Sequence, residues 1–432
     1  MSAAPPSPPA RAPLMPLDDA LAALLGAVEP LPGVETIATF DADRRVLAQD
    51  LVSALQVPPQ DNSSMDGYAL RAADVTAPGV VLPVSQRIAA GHAAEPLRPG
   101  TCARIFTGAP MPEGADSVVM QEDTQEVGGN IHGVHINTLP KPGQWVRRAG
   151  EDVTLGSVVL CRGQRLTPAA LGLAASLGLA QVPVVARPRV ALFSTGDELV
   201  MPGEVAPQDM PPGAIYNSNR FFLRALLQRM GCEVSDLGIV PDRREATVAA
   251  LKTAADHHDL ILTSGGVSVG EEDHIKPAVQ QLGCLNLWQI AMKPGKPFAY
   301  GTVGRDAGAG ALAAQPCHFI GLPGNPVSSF VTFLLLVRPF LLRLQGALPD
   351  TAAALPRPVL LPAHFDLPRA DKRREFLRVR RNAQGGLDLF PNQSSGVLTS
   401  AVWGDGLVDN PAGRTVAHGD LLPYLSFAEL IA

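Results

Sequence analysis

The sequence predicts a multidomain chain in which a doubly wound α/β domain is flanked by β-rich modules. Three observations carry this. From Pro188 to about residue 346, short apolar runs alternate with amphipathic stretches, the rhythm of parallel strands and crossover helices. Residues 58–140 and 347–432 instead hold short β-like runs parted by Gly, Pro and Asn. The chain has 432 residues, 46% of them hydrophobic, enough for two to four cores at roughly 150 residues per domain.

The elements follow in order. "MSAAPPSPPARAPLMP" is rich in Pro and Ala and lacks a continuous apolar core, so residues 1–16 are expected to be a disordered tail and not a signal peptide. "LDDALAALLGAV" opens a helix-like pattern at Leu17, and "DADRRVLAQDLV" reads as a second helical stretch. "GVVLPVSQRIAAG", "TCARIFTG", "SVVMQED" and "NIHGVHI" read as strands of a small β module, after which residues 150–178 return to mixed character. In the α/β segment "RVALFS", "CEVSDLGIV", "DLILTS" and "CHFIGL" are strands of a parallel sheet. "SNRFFLRALLQRMG" sets Phe222, Leu223, Leu226, Leu227 and Met230 on one helix face, and Gly231 suits the left-handed position after its end. "REATVAALKTAADHH" is a helix whose His257 and His258 end it on a solvated face. "PGNPVSSFVTFLLLVRPFLLRL" is another, with Asn325 as candidate cap and Pro326 at the first helical position. Beyond Ala347, "PRPVLLPAHF", "REFLRVRRN" and "GGLDLFPNQ" are short strands.

Composition excludes several functions. A net charge of −6 and an aromatic content of 5% leave neither a basic surface nor stacking platforms for nucleic acid. The five cysteines form no C-x-x-C pair, which points to reduced thiols in a cytoplasmic protein and away from zinc or disulfides. The longest largely apolar run, residues 330–337, falls far short of the roughly 20 residues that span a bilayer.

The segment "TSGGVSVGEEDHIK", residues 263–276, poses the chemical question. Gly265, Gly266 and Gly270, with Ser264 and Ser268 among them, suit a backbone cradle for phosphate. Glu271, Glu272 and Asp273 follow directly and should repel the same phosphate. A divalent cation reconciles the two, since Mg²⁺ commonly bridges carboxylates to phosphate oxygens. Other strand ends carry matching groups: "TGDEL" with Asp197 and Glu198, "PDRRE" with Asp242, "MKPGKPF" with Lys293 and Lys296, and "PGNP". Glu198, Asp242 and Asp273 are the candidate metal ligands, and the two lysines add positive charge. "DNSSMDGYA", residues 61–69, is turn chemistry that also suits the lip of a site. Known nucleotide motifs do not explain the loop. Glu271 stands where a P-loop requires Lys, and no G-x-G-x-x-G opens a helix after a strand.

Taken together, "DNSSMDGYA", "RIFTGAPMPEGADSVVMQE", "STGDEL", "SGGVSVGEEDHIK", "MKPGKP", "GLPGNPVSS" and "RREFLRV" resemble, in this order, the molybdopterin molybdenumtransferases and the E domain of gephyrin-type proteins. The resemblance runs from about Leu17 to the C-terminus. It implies an elongated linker domain from 17–57 and 141–187, and a β-rich domain inserted at 58–140. An α/β domain of the molybdenum-cofactor-biosynthesis type (188–346) and a C-terminal β-barrel (347–432) follow. It implies a homodimer, and possible contacts with other proteins of the cofactor pathway. The reaction it implies is insertion of molybdate into adenylylated molybdopterin, with Mg²⁺-assisted hydrolysis and release of AMP. Carried over by motif, Asp66, Thr107, Glu198, Asp242 and Asp273 form the catalytic group. Lys293, Lys296, Arg374 and Ser395 form the oxyanion site for molybdate, with Ser394 as an alternative to Ser395. Competing readings are a nucleotide pyrophosphatase, the adenylyltransferase of the same pathway and a non-enzymatic scaffold. The first two lack the 61–69 and 373–379 motifs found here, and no partner-specific segment supports the third.

Overall fold

A computed structural model of the chain describes residues 14–128, 132–266, 274–306, 315–347 and 354–431. The chain forms two compact units, one of Met1–Glu35, Arg44–Ala48 and Val184–Ala432, the other of Thr36–Asp43 and Gln49–Pro183.

The larger unit is built on a six-stranded sheet, in spatial order Glu233–Val240, Arg189–Thr195, Leu260–Ser264, Cys317–Leu322, Pro297–Val303 and Gly283–Gln289. The first four strands are parallel and the last two pair antiparallel. The wholly parallel sheet expected from the alternation is therefore corrected to a mixed one. The loop 290–296 is too short for a crossover helix, so the chain must reverse there. Two reversals leave Gly283–Gln289 pointing the same way as the parallel strands. Its loop, with Lys293 and Lys296, thus leaves the sheet on the same edge as theirs.

The three inner parallel strands, Arg189–Thr195, Leu260–Ser264 and Cys317–Leu322, are apolar on both sides because both sheet faces are covered there, whereas the edge strand Glu233–Val240 is largely exposed. Val190, Leu192, Leu260, Leu262 and Ile320 face one core, and Ala191, Phe193, Ile261 and Phe319 face the other. Helices Arg244–His257 and Ile275–Leu282 cover the second face. Helix Ser218–Arg229 and the helical run 326–344 cover the first. Leu17–Gly26, expected to open the linker, packs Leu17, Ala20, Leu21, Leu24 and Leu25 into that same first core. Residues 1–13 of the expected tail lie outside the described residues. Its end is ordered, because Met15 N donates to Gln289 O at 2.8 Å and Met15 bridges Ile290.

Two further expectations change. "DADRRVLAQDLV" is not a helix: after a single 3₁₀ turn at Thr39–Asp41, Arg44 adopts φ +62°. Val46 O then accepts from Val185 N at 2.8 Å, and Leu47 bridges Val184. Asn325 occupies the cap position of its helix, but its side chain makes no capping bond. The helix continues through a π segment at Phe333–Val337 into Arg338–Leu344, where Pro339 has no N–H for the turn before it. The run 326–344 is long and apolar enough to cross a membrane, yet most of it is buried within the α/β core.

The C-terminal strands form the expected small barrel. Leu387–Leu389, Arg374–Arg381, Gly406–Asn410, Leu421–Ser426 and Val359–Pro362 pair in that order. The Ala363–Leu387 bridge closes the ring around Leu377, Val379, Val408, Leu422 and Tyr424. Met292–Lys293 joins its edge by pairing parallel with Arg374–Glu375.

The smaller unit holds its own six-stranded sheet, in order Ser117–Met120, Gly67–Leu70, Cys102–Ile105, Val80–Ile88, Gly133–Ile136 and Thr124–Val127. Its four expected strand segments are all present. Gly67 is demanded by packing, since a Cβ there would collide with the Val119 carbonyl.

Candidate functional site

The carboxyl ends of the parallel strands open on a cavity of about 730 Å³. It sits where the strand order reverses, between Arg189–Thr195 and Leu260–Ser264, the position at which open α/β sheets bind ligands. Thr195 ends strand Arg189–Thr195, Gly196 and Glu198 come from the loop after it, and Asp242 comes from the loop after Glu233–Val240. Ser264, Gly265 and Gly266 follow Leu260–Ser264 directly.

The described part of the glycine loop is held by the protein itself. Gly265 and Gly266 have φ +93° and +68°, which disfavour other residues. Gly265 N donates to Leu322 O at 3.0 Å, so that N–H belongs to the sheet. Ser268, Gly270 and Asp273, with Glu271 and Glu272, lie outside the described residues. Glu198 folds its carboxylate against the Cα of Gly196, where a Cβ would strike it. Among the described residues no group of three metal-ligating side chains forms. Glu198 and Asp242 nevertheless line one cavity, and none of the described residues lining it is a lysine or arginine. Two carboxylates with open space between protein groups suit a hard dication that keeps waters and phosphate oxygens as its other ligands.

Two asparagines that the sequence reading passed over hold this wall together. Asn219 Nδ2 donates to Ser264 Oγ and to Gly324 O, both at 2.7 Å, and so ties the glycine loop to the "PGNP" loop. Asn217 caps helix Ser218–Arg229 by accepting from Arg220 N at 3.3 Å. The only signal was "YNSN" before an amphipathic helix, which reads as ordinary capping.

The cationic residues form a separate cluster. Lys293 Nζ lies 3.0 Å from Glu375 Oε1 and 3.2 Å from Asp371 Oδ2. Burial opposes the Lys293 charge, but the bond to Glu375 and the Asp371 carboxylate prevail and raise its pKa above the usual lysine value. The side chain of Arg373 grips Asp371 and holds that carboxyl well below its usual range. Arg374 spends both arms of its fork on Asp409, at 2.6 Å each, and also reaches Asp18 at 2.9 Å. Among the described residues the half-buried Lys296 makes no side-chain hydrogen bond or ion pair.

Ser395 O accepts from Val327 N at 2.9 Å, and the next residue, Gly396, lines the cavity. Ser394 is tied elsewhere, through its carbonyl, to Arg378 at 3.4 Å. Arg378, which the sequence reading missed, is fully buried, and among the described residues its guanidinium donates to the neutral oxygens of Ser400, Phe376 and Ser394. Burial lowers its pKa to about 10. It lies two residues beyond Phe376 on the strand that carries Arg374, and nothing in the pattern marks which arginine is buried.

In the smaller unit, Asp66 Oδ1 accepts from both Thr107 N and Thr107 Oγ1 at 2.8 Å. These bonds, the backbone one first, lower the Asp66 pKa and keep it ionised. Asp61 accepts from Ala149 N at 2.8 Å and Arg148 Nη1 at 2.6 Å, pinning the 61–69 segment.

Three family models cover most of the chain: the MoeA N-terminal region (domain I and II) at 15–178, the probable molybdopterin binding domain at 191–343 and the MoeA C-terminal region (domain IV) at 361–427. The molybdopterin molybdenumtransferase of Haemophilus influenzae is 42% identical over 335 residues, 77% of this chain and 78% of that one. That of Synechococcus elongatus is 35% identical over 410 residues, 91% and 95%. The crystal structure of the molybdopterin biosynthesis MoeA protein from Pyrococcus horikoshii superposes with a TM-score of 0.80 at 27% identity, covering 96% of this chain and 100% of that one. On domain content, sequence and fold together, the chain belongs to the molybdopterin molybdenumtransferase family of enzymes.

Proposed function

We propose that the chain inserts molybdate into adenylylated molybdopterin. The dithiolene sulfurs take up molybdenum, water cleaves the pyrophosphate bond, and AMP leaves. The observation that carries this reading is the cavity at the strand-order reversal, with Glu198 and Asp242 on its wall and room for a pterin-sized ligand. Mg²⁺ would be held by Glu198 and Asp242, with Asp273 from the adjoining loop, and would supply positive charge to the phosphate oxygens. Ser264 and the glycine loop with Ser268 and Gly270 orient the phosphates. Lys296 is the direct contact for molybdate, because its ammonium is uncommitted among the described residues, and Ser395 joins it beside Gly396. Lys293 and Arg374, which the motif resemblance assigns to the oxyanion end, act as anchors of the fold through their carboxylate partners and do not contact molybdate directly. The motif resemblance also assigns Asp66 and Thr107 catalytic roles, and the bonds between them keep the Asp66 carboxylate ionised. A cytoplasmic homodimer, open to other proteins of the pathway, belongs to the same proposal.

The test is incubation of the full chain with adenylylated molybdopterin, Mg²⁺ and molybdate, following AMP and bound molybdenum together. AMP release that depends on molybdate and matches molybdenum uptake is expected. AMP release without uptake points to a nucleotide pyrophosphatase, and neither points to a scaffold.

A further inference from the structure

Asn217 stands between the short strand Ile215–Tyr216 and helix Ser218–Arg229, and it lines the cavity. Only 2% of it is exposed. Its backbone is anchored, with Asn217 N donating to Val200 O at 2.9 Å. Its carboxamide is half used. Oδ1 accepts from Arg220 N, and that contact decides which end of the amide is oxygen, because a backbone N–H requires an acceptor. Nδ2 is buried and has no hydrogen-bond partner among the described residues. Its neighbour Asn219 spends the same group twice, on Ser264 and Gly324.

A buried donor without a partner carries a desolvation cost that an arriving acceptor removes. The surroundings favour an anionic acceptor. Helix Ser218–Arg229 is 12 residues long, and its N-terminal residues Ser218 and Asn219 line the cavity, where unpaired N–H groups and the positive end of the helix dipole attract negative charge. No lysine or arginine lines the cavity among the described residues, so the protein's own contribution to anion recognition there falls to neutral donors.

We infer that the Asn217 amide nitrogen donates to a phosphate oxygen of the bound substrate and makes the cavity discriminate a phosphorylated ligand from its unphosphorylated counterpart. This rests on the reading that the cavity takes the adenylylated pterin. AMP and adenosine are the probes, titrated calorimetrically into the full chain with Mg²⁺ present. Asn217→Ser and Asn217→Asp both keep a capping acceptor and lack the amide donor. Both are expected to melt close to the unsubstituted protein. Asn217→Ser should bind AMP about tenfold more weakly, Asn217→Asp more weakly still, and adenosine affinity should not change. Equal AMP affinity in Asn217→Ser and the unsubstituted protein overturns the inference and leaves the proposed reaction standing. Equal losses for AMP and adenosine overturn it too, by moving the donor to the nucleoside. An unsubstituted chain that binds neither probe removes the nucleotide reading and the inference with it.

Discussion

The cavity wall and the cationic cluster lie in the same unit but use their polar groups in opposite ways. Among the described residues of the wall, Glu198 has no ion-pair partner, Asn217 Nδ2 is buried and unpaired, and there is no lysine or arginine. In the cluster, Lys293, Arg373 and Arg374 are all matched to carboxylates within 3.2 Å. Groups that folding leaves unsatisfied are available to a ligand. Charges that folding has already matched hold the chain in place, and a ligand must compete with their partners. The difference teaches that a residue's charge is a poor guide to its role until its partners are known.

The largest test of that comparison is Glu198→Gln. It removes a charge but no protein contact, so molybdenum transfer should fall about 100-fold while the melting temperature stays put. A variant that melts early with its rate intact would place Glu198 among the structural carboxylates.

Arg374→Lys tests the other side. It keeps the charge but cannot fill both oxygens of Asp409. Chemical denaturation should report a loss of about 1 kcal/mol, discounted for partial exposure, with the molybdate concentration for half-maximal rate unchanged. A raised molybdate requirement at unchanged stability would transfer Arg374 to the ligand-facing set.

The smallest effect concerns pH. Asp371 is held ionised by Arg373 and Lys293, so its folded pKa lies below its unfolded one. Its contribution to stability is present above the ordinary carboxylate range, near pH 4, and is lost as pH falls below it. Asp371→Asn should therefore melt slightly lower at pH 7, with the gap narrowing as pH falls below the ordinary carboxylate range and closing only once pH has passed the depressed folded-state pKa. Parallel melting curves across that window would show that the Arg373–Asp371 pair contributes nothing to folding.

Much of the α/β domain was legible because its signals are local. Buried strands such as "RVALFS" and "DLILTS" are continuous apolar runs, and the turn residues after them place Glu198, Asp242, Gly265 and Gly266 at strand ends. The misreadings occurred where distant partners overrode local pattern. Leu17–Gly26 is a helix as expected, but the face it buries belongs to the α/β core. "DADRRVLAQDLV" has helical spacing, yet the bridge to Val184 captures Val46 and Leu47. The antiparallel end of the sheet depends on a seven-residue loop, 290–296, that no strand pattern encodes.

The site divides along the same line. The sequence by itself determined the family, the fold class and the residues that follow each strand, because apolar periodicity, turn chemistry and motif order are properties of neighbouring residues. Only the tertiary structure decided which of those residues are already spoken for. Lys293 meets Glu375 across 82 positions and Arg374 meets Asp409 across 35, through strand pairings formed only in the folded chain. Asn217 and Asn219 look alike in "YNSN", and only packing leaves one amide unpaired while the other is bonded twice. Satisfaction of a polar group depends on distance in space, and separation along the chain does not encode that distance.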